Sequence, residues 1–220
     1  MGHVSQRAVF KSLILLVAVW LCIGAGNQLL QAGNAAAGAK GKATTLENLL
    51  TAYQRENNSY ALYRAFSQKA ESEGYTGISQ LFRAAMASVN VQRENHAEAI
   101  KKMKGIPESI VKTPEVRTTR ENLLRAFQDA SSKYNDLYPA FLQQAREERE
   151  RTALRTFNFS RSAAETHSKF FSEASAKLET WDKEERNFWV CTVCGHMVTA
   201  LNFEVCPICF NPLDKYTRVK

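Results

Sequence analysis

Apolar residues recur at intervals of three and four along most of the chain, the spacing that lines up one face of an α-helix. The first run is Leu46, Leu49, Leu50, Tyr53, Tyr60, Tyr63 and Phe66, with the acid Glu56 inside its stripe. The second follows the Glu73-Gly74 break and reads Ile78, Leu81, Phe82, Ala85, Val89, Gln92, His96, Ile100 and Met103, closing near Gly105 and Pro107. The third, from around Arg117 and Asn122, places Leu123, Phe127, Ala130, Tyr134, Leu137 and Phe141 on one face, with Pro139 as a mild interruption. The fourth runs Leu154, Phe157, Ala164, His167, Phe171 and Leu178. No strand-type alternation breaks the series, and each run, at roughly 25 to 30 residues, outlasts an average globular helix. The pattern predicts a mostly α chain with a four-helix bundle over residues 43–180. Its longest connection, Lys104 to Glu115 with Pro107 and Pro114, is long enough to cross the bundle.

The start of the chain follows a different pattern. Residues 1–39 hold Arg7 and Lys11 and no acid, then an uncharged stretch whose apolar part, Leu13 to Ile23, has the length of a signal-peptide core. Small residues at Ala35, Ala36, Ala37, Gly38 and Ala39 supply a cleavage site, so the expectation is export, to a periplasm, of a chain beginning near Lys40. The alternative is an uncleaved membrane anchor reaching Leu30. Cys22 follows Trp20 and Leu21 and reads as one more hydrophobe of that segment.

Composition narrows the remaining choices. At 45 % hydrophobic and 23 % charged the chain has material for a core, which excludes disorder as its main state. The net charge of +7 arises from 29 basic and 22 acidic residues that are interleaved without a block of five like charges. That distribution reads as a solubilising surface, with no nucleic acid as partner. No glycine-rich phosphate loop or nucleophile elbow is present.

The chemistry concentrates at the carboxyl end. Cys191 and Cys194, then eleven residues, then Cys206 and Cys209 form two CxxC knuckles within residues 186–220. Paired knuckles present four thiolates as a tetrahedron, which suits iron or zinc, and spacing does not separate the two. A module of about 35 residues has too small a core to fold without such a staple. Gly195 follows the first knuckle as a tight turn requires, whereas Phe210 stands where a second glycine is usual. His196, surplus to a filled tetrahedron, reads as exposed.

The stretches TLENLLTAYQRENNSYALYRAFSQKAESEGYTGISQLFRAAMASVNVQRENHAEAIKKM and RTFNFSRSAAETHSKF, with a four-cysteine module behind them, strongly resemble the rubrerythrins over residues 43–218. The resemblance implies a ferritin-like bundle followed by a small rubredoxin-like domain whose four cysteines bind one metal. It also implies an iron tetrathiolate that passes electrons to a di-iron site in the bundle, hydrogen peroxide reduction, a redox partner protein and a homodimer. Carried over one residue at a time, the family's di-iron ligands fall on Glu56, Val89, Gln92, Ala130, Lys133, Ala164 and His167, so only Glu56 and His167 keep the ligand type.

Neighbouring residues do not restore the set. Side chains three apart on a helix diverge by about 60° and share a metal, whereas two apart they diverge by about 160°. Glu94 with His96, and Glu165 with His167, are two apart, so Glu94 and Glu165 are expected on the surface and His96 in the core. The sequence therefore predicts one iron held by Cys191, Cys194, Cys206 and Cys209, with zinc as the alternative and no di-iron centre. Lys133 either reaches inward to Glu56 as a replacement cation or points to solvent. The functional expectation is electron transfer, with a noncatalytic zinc-ribbon binding protein and an active di-iron peroxidase as alternatives.

Overall fold

The computed structural model describes residues 42–184 and 186–219. The expected signal segment, 1–39, including Cys22, lies outside them. Residues 43–220 form one compact unit. Its helices are α1 (Thr45–Ser72), α2 (Thr76–Lys102), α3 (Thr119–Ser132), α4 (Tyr138–Glu147), α5 (Arg151–Ala176) and the short α6 (Leu178–Lys183). Strands β1 (Phe188–Cys191), β2 (Met197–Val198) and β3 (Tyr216–Val219) make an antiparallel sheet in the order β2-β1-β3. Helices α1, α2, α3 with α4, and α5 are the four rods of a ferritin-like bundle. The segment from Met103 to Thr118 crosses it along α1, held where Ile110 exchanges two hydrogen bonds with Gln54 and where Lys112 N donates to Asn58.

The helix starts are set locally. Thr44 with Glu47 and Thr118 with Glu121 are capping boxes, each threonine accepting from the glutamate's N–H and each glutamate accepting from the threonine's. Carboxylates just past the ends of other helices add to them: Glu148, after α4, accepts from Thr45 N at 3.0 Å and Glu73, after α1, from Thr119 N at 2.8 Å. Helix α2 has no capping side chain of its own at Tyr75, and Asp182 of α6 supplies one, accepting from Gly77 N at 2.8 Å and Ile78 N at 3.2 Å.

The third run departs from the expected single helix. Lys133–Leu137 is a π turn in which Tyr138 N donates five residues back to Lys133 O. Pro139 has no N–H and its ring would crowd the carbonyl four residues earlier, so the wider turn removes the conflict. One extra residue in the turn moves the buried face from Leu137, expected inside, to Tyr138, which is fully buried. The fourth run likewise ends at Ala176 and resumes as α6, so Leu178 belongs to the shorter helix.

Two apolar clusters fill the bundle. One contains Tyr63, Phe66, Phe82, Phe171 and Trp181 and extends into the module through Phe188, Val190 and Met197; the other contains Leu49, Ile100, Tyr138, Phe141 and Phe157. The buried polar residues Glu56, His96, Lys133 and Ser160 fall between them in sequence on every rod.

Because Asp182 caps a helix that has no other cap, Asp182→Ala is expected to destabilise the protein by about 1–2 kcal/mol in urea unfolding. Asp182→Asn, which keeps an acceptor, should recover at least half of that loss.

Candidate metal centre and the buried polar site

The two cysteine knuckles share one backbone design. Gly195 N donates to Cys191 O at 2.8 Å, and Phe210 N donates to Cys206 O at 2.9 Å. Cys191 N donates to His196 O and Cys206 N to Asn211 O, at 2.9 and 2.8 Å. Gly195 and Phe210 both take left-handed φ, +76° and +59°. The second knuckle therefore closes despite lacking glycine, at the roughly 1–2 kcal/mol a Cβ costs in that region. Phe210 then projects outward, 75 % exposed.

The four Sγ atoms lie within 4.8 Å of one another. Cys191 Sγ and Cys209 Sγ are 3.7 Å apart, and Cys194 Sγ and Cys206 Sγ 3.6 Å. A tetrahedral metal with sulfur bonds of about 2.3 Å needs edges near 3.8 Å, whereas a disulfide would need about 2.05 Å. The set fits a tetrathiolate metal. It is seated on the bundle: Ser88 Oγ donates to Gly195 O at 2.5 Å, and Asn95 Nδ2 to Val193 O at 2.9 Å. A Cβ at Gly195 would meet Ser88 O at 2.8 Å, so this approach also requires glycine. Phe159 of α5 packs with Cys191, Cys194, Cys206 and Tyr216. His196, expected on the surface, is half-buried because its Nδ1 lies 2.7 Å from the Tyr216 hydroxyl.

Inside the bundle the second set of expected residues takes shape. Lys133 reaches inward. Its Nζ is 3.0 Å from Glu56 Oε2, 2.6 Å from Ser59 Oγ and 3.2 Å from Asp129 Oδ2, which uses its three donors. Tyr138 Oη donates to Glu56 Oε1 at 2.5 Å. His96 is a core residue as expected, with Nδ1 3.0 Å from Thr156 Oγ1 and Nε2 3.0 Å from Ser160 Oγ. Burial pulls the Lys133 ammonium toward neutrality, but the carboxylates of Asp129 and Glu56 outweigh it and hold its pKa above the ordinary lysine value.

Val89, Ala130, Ala164, Gln92 and His167 are all buried, so the inward register assigned to them is correct. Gln92 turns to Ser88 (3.1 Å) and thereby to the cysteine module. His167 stands edge-on to Tyr63, and its Nε2 has no hydrogen-bond partner among the described residues. Glu94 is exposed beside Asn90, and Glu165 pairs with Lys169 at the surface. Burial, then the nearby Lys133 charge, pushes both His96 and His167 down to about 3.

A family model for rubrerythrin matches residues 47–175. The chain belongs to the rubrerythrin family. It is 30 % identical to nigerythrin of Nitratidesulfovibrio vulgaris over 175 residues, covering 79 % of this chain and 86 % of that one. It is 32 % identical to rubrerythrin-2 of Clostridium acetobutylicum over 178 residues, covering 79 % and 96 %. Among solved structures, fully reduced, all-ferrous nigerythrin superposes with a TM-score of 0.75 at 29 % identity, over 83 % of this chain and 90 % of that chain. The rubrerythrin match thus accounts for the bundle, and the four-cysteine cluster behind it is compatible with a rubredoxin-like module.

Sequence patterns pointed to Glu56 and Lys133 but missed Ser59, Asp129, Tyr138, Thr156 and Ser160. Asp129 carried a signal, four residues before Lys133 on one helix face. Tyr138 carried none without the π turn.

Removing one partner of the buried pair exposes its strength. Lys133→Met is expected to lose about 3–5 kcal/mol of unfolding free energy, because it leaves Glu56 without its cation. Adding Glu56→Gln should restore much of the loss, giving a coupling of about 2 kcal/mol or more in a double-mutant cycle.

The histidines make a separate prediction. Between pH about 6.5 and about 3 the unfolded chain binds protons that native His96 and His167 refuse, so stability falls as pH drops through that window. In His167→Gln one such proton is absent. The stability difference between parent and variant, followed by urea unfolding, should therefore shift against the parent by about 1.4 kcal/mol per pH unit below 6.5.

Proposed function

We propose that this rubrerythrin-family chain is an exported redox protein that works through one iron tetrathiolate centre, its bundle site having exchanged metal for an internal ion pair. The observation that carries this reading is the Lys133 ammonium bonded to Glu56, Ser59 and Asp129. A cation already occupies the neighbourhood of Glu56. Around it, Val89, Ala130 and Ala164 offer no donor atom and Gln92 is turned to Ser88, so the donor set does not fit two irons.

The cysteine centre is where chemistry remains. Iron held there supplies one-electron exchange between ferric and ferrous states, with the thiolates of Cys191, Cys194, Cys206 and Cys209 fixing its geometry. That iron is the resident metal is supported by family membership and by the all-ferrous state of the nigerythrin neighbour. Val205 and Phe210 leave an apolar, exposed rim beside half-buried Cys209, where a redox partner protein approaches closely. The crossover exposes Ile106, Ile110, Val111 and Val116, a strip that a second copy of the chain covers in a homodimer. Residues 1–39 direct export and keep the protein at a membrane only if they stay attached.

Iron-loaded protein should be red and hold one metal per chain. Cys191→Ser with Cys206→Ser should remove that metal while far-UV circular dichroism keeps the bundle's helical signal. Two irons persisting in the double variant would restore the di-iron reading, and a colourless parent with one zinc per chain would replace electron transfer by a structural ribbon.

A further inference from the structure

One contact in the cysteine module is made by groups that neither the knuckles nor the bundle require. Tyr216 opens β3 directly opposite Cys191 of β1, and its hydroxyl lies 3.2 Å from Cys206 Sγ. The same hydroxyl lies 2.7 Å from His196 Nδ1. Phe203 packs on both rings, with centroids 5.6 Å from Tyr216 and 6.4 Å from His196, and Tyr216 is buried. The phenol is held by strand pairing on one side and by aromatic packing on the other.

A tyrosine hydroxyl has one hydrogen and two neighbours here. A metal-bound thiolate has no proton to give and can only accept. His196 Nδ1 can do either, according to its tautomer. Both short contacts are satisfied together in one arrangement: neutral His196 carries its proton on Nδ1 and donates it to Tyr216 Oη, which donates its own to Cys206 Sγ.

Resting on the iron tetrathiolate reading, we infer that Tyr216 is a potential-setting hydrogen-bond donor to the Cys206 thiolate, oriented by His196. Reduction of ferric to ferrous iron adds one electron and increases the negative charge on the sulfurs. A donor aimed at one of them stabilises the reduced state more than the oxidised state and raises the reduction potential. The proton stays on oxygen throughout. His196 acts through Tyr216, and is a positioning residue.

Two measurements on the full chain test this. In the iron-loaded protein, Tyr216→Phe keeps the ring and removes the hydroxyl. The reduction equilibrium constant should fall three- to tenfold, about 30–60 mV in midpoint at 59 mV per tenfold for one electron. An unchanged midpoint in a variant of parental visible spectrum and iron content would overturn the assignment, because a merely structural role for the ring leaves the potential alone.

Loading the parent with cadmium-113 gives a readout independent of redox activity and of any variant. A tyrosine hydroxyl proton should show through-bond coupling to the cadmium nucleus, and His196 should show its proton on Nδ1. Cadmium bound in the four-cysteine site without that coupling, or with the tyrosine proton coupled to His196 Nδ1 instead, would overturn the inference while leaving the metal centre standing. Failure to bind cadmium or iron at all would overturn both.

Discussion

A lysine ammonium buried among four helices is the constraint around which this molecule is arranged. Removing such a charge from water costs several kcal/mol, and the loss is offset only by close, complete pairing. Lys133 finds that pairing because α1 brings Glu56 and Ser59 to it and its own helix brings Asp129 one turn back. The second oxygen of Glu56 is then taken by Tyr138, so the carboxylate is bound on both sides. His96, Thr156 and Ser160 complete a polar layer drawn from α2 and α5. The two apolar clusters lie on either side of it, and Val89, Ala130 and Ala164 at the seam contribute no polar side-chain atom that would need a partner.

That layer depends on a backbone irregularity, and the irregularity traces to one residue. Pro139 cannot continue a regular helix through the preceding turn, and the π turn at Lys133–Leu137 is how the chain accommodates it. The turn carries one more residue than an α turn, so Tyr138 points to Glu56 while Leu137 is displaced to the flank. A proline on α4 thus determines which side chain satisfies a carboxylate on α1.

Periodicity and spacing made the four rods, the crossover and the clustering of the four cysteines legible in the sequence, because each is a local or short-range regularity. The inward register of Val89, Gln92, Ala130, Ala164 and His167 was legible too, through the resemblance combined with helical geometry. Lys133 was undecided because a lysine at an inward register position can still extend to solvent; only the assembled packing of α1 against α3 shows that it does not. His196 was misplaced for a related reason. Its burial comes from Tyr216 on β3, twenty residues away, and from Phe203, and no pattern within these segments pairs them. Phe210 shows the limit of a residue rule: hydrogen bonds and exposure let a phenylalanine occupy a left-handed turn that glycine fills more readily.

The seat between Ser88 and Gly195 adds a polar joint to the apolar packing that Phe188, Val190 and Met197 already share with the bundle. Such a joint obeys reciprocity: if docking on α2 favours the closed first knuckle, closing that knuckle favours the docked α2 by the same free energy. Whatever strengthens the closed knuckle therefore strengthens the seated α2 as well, and a fault in α2 weakens a cluster of four thiols to which it contributes no sulfur.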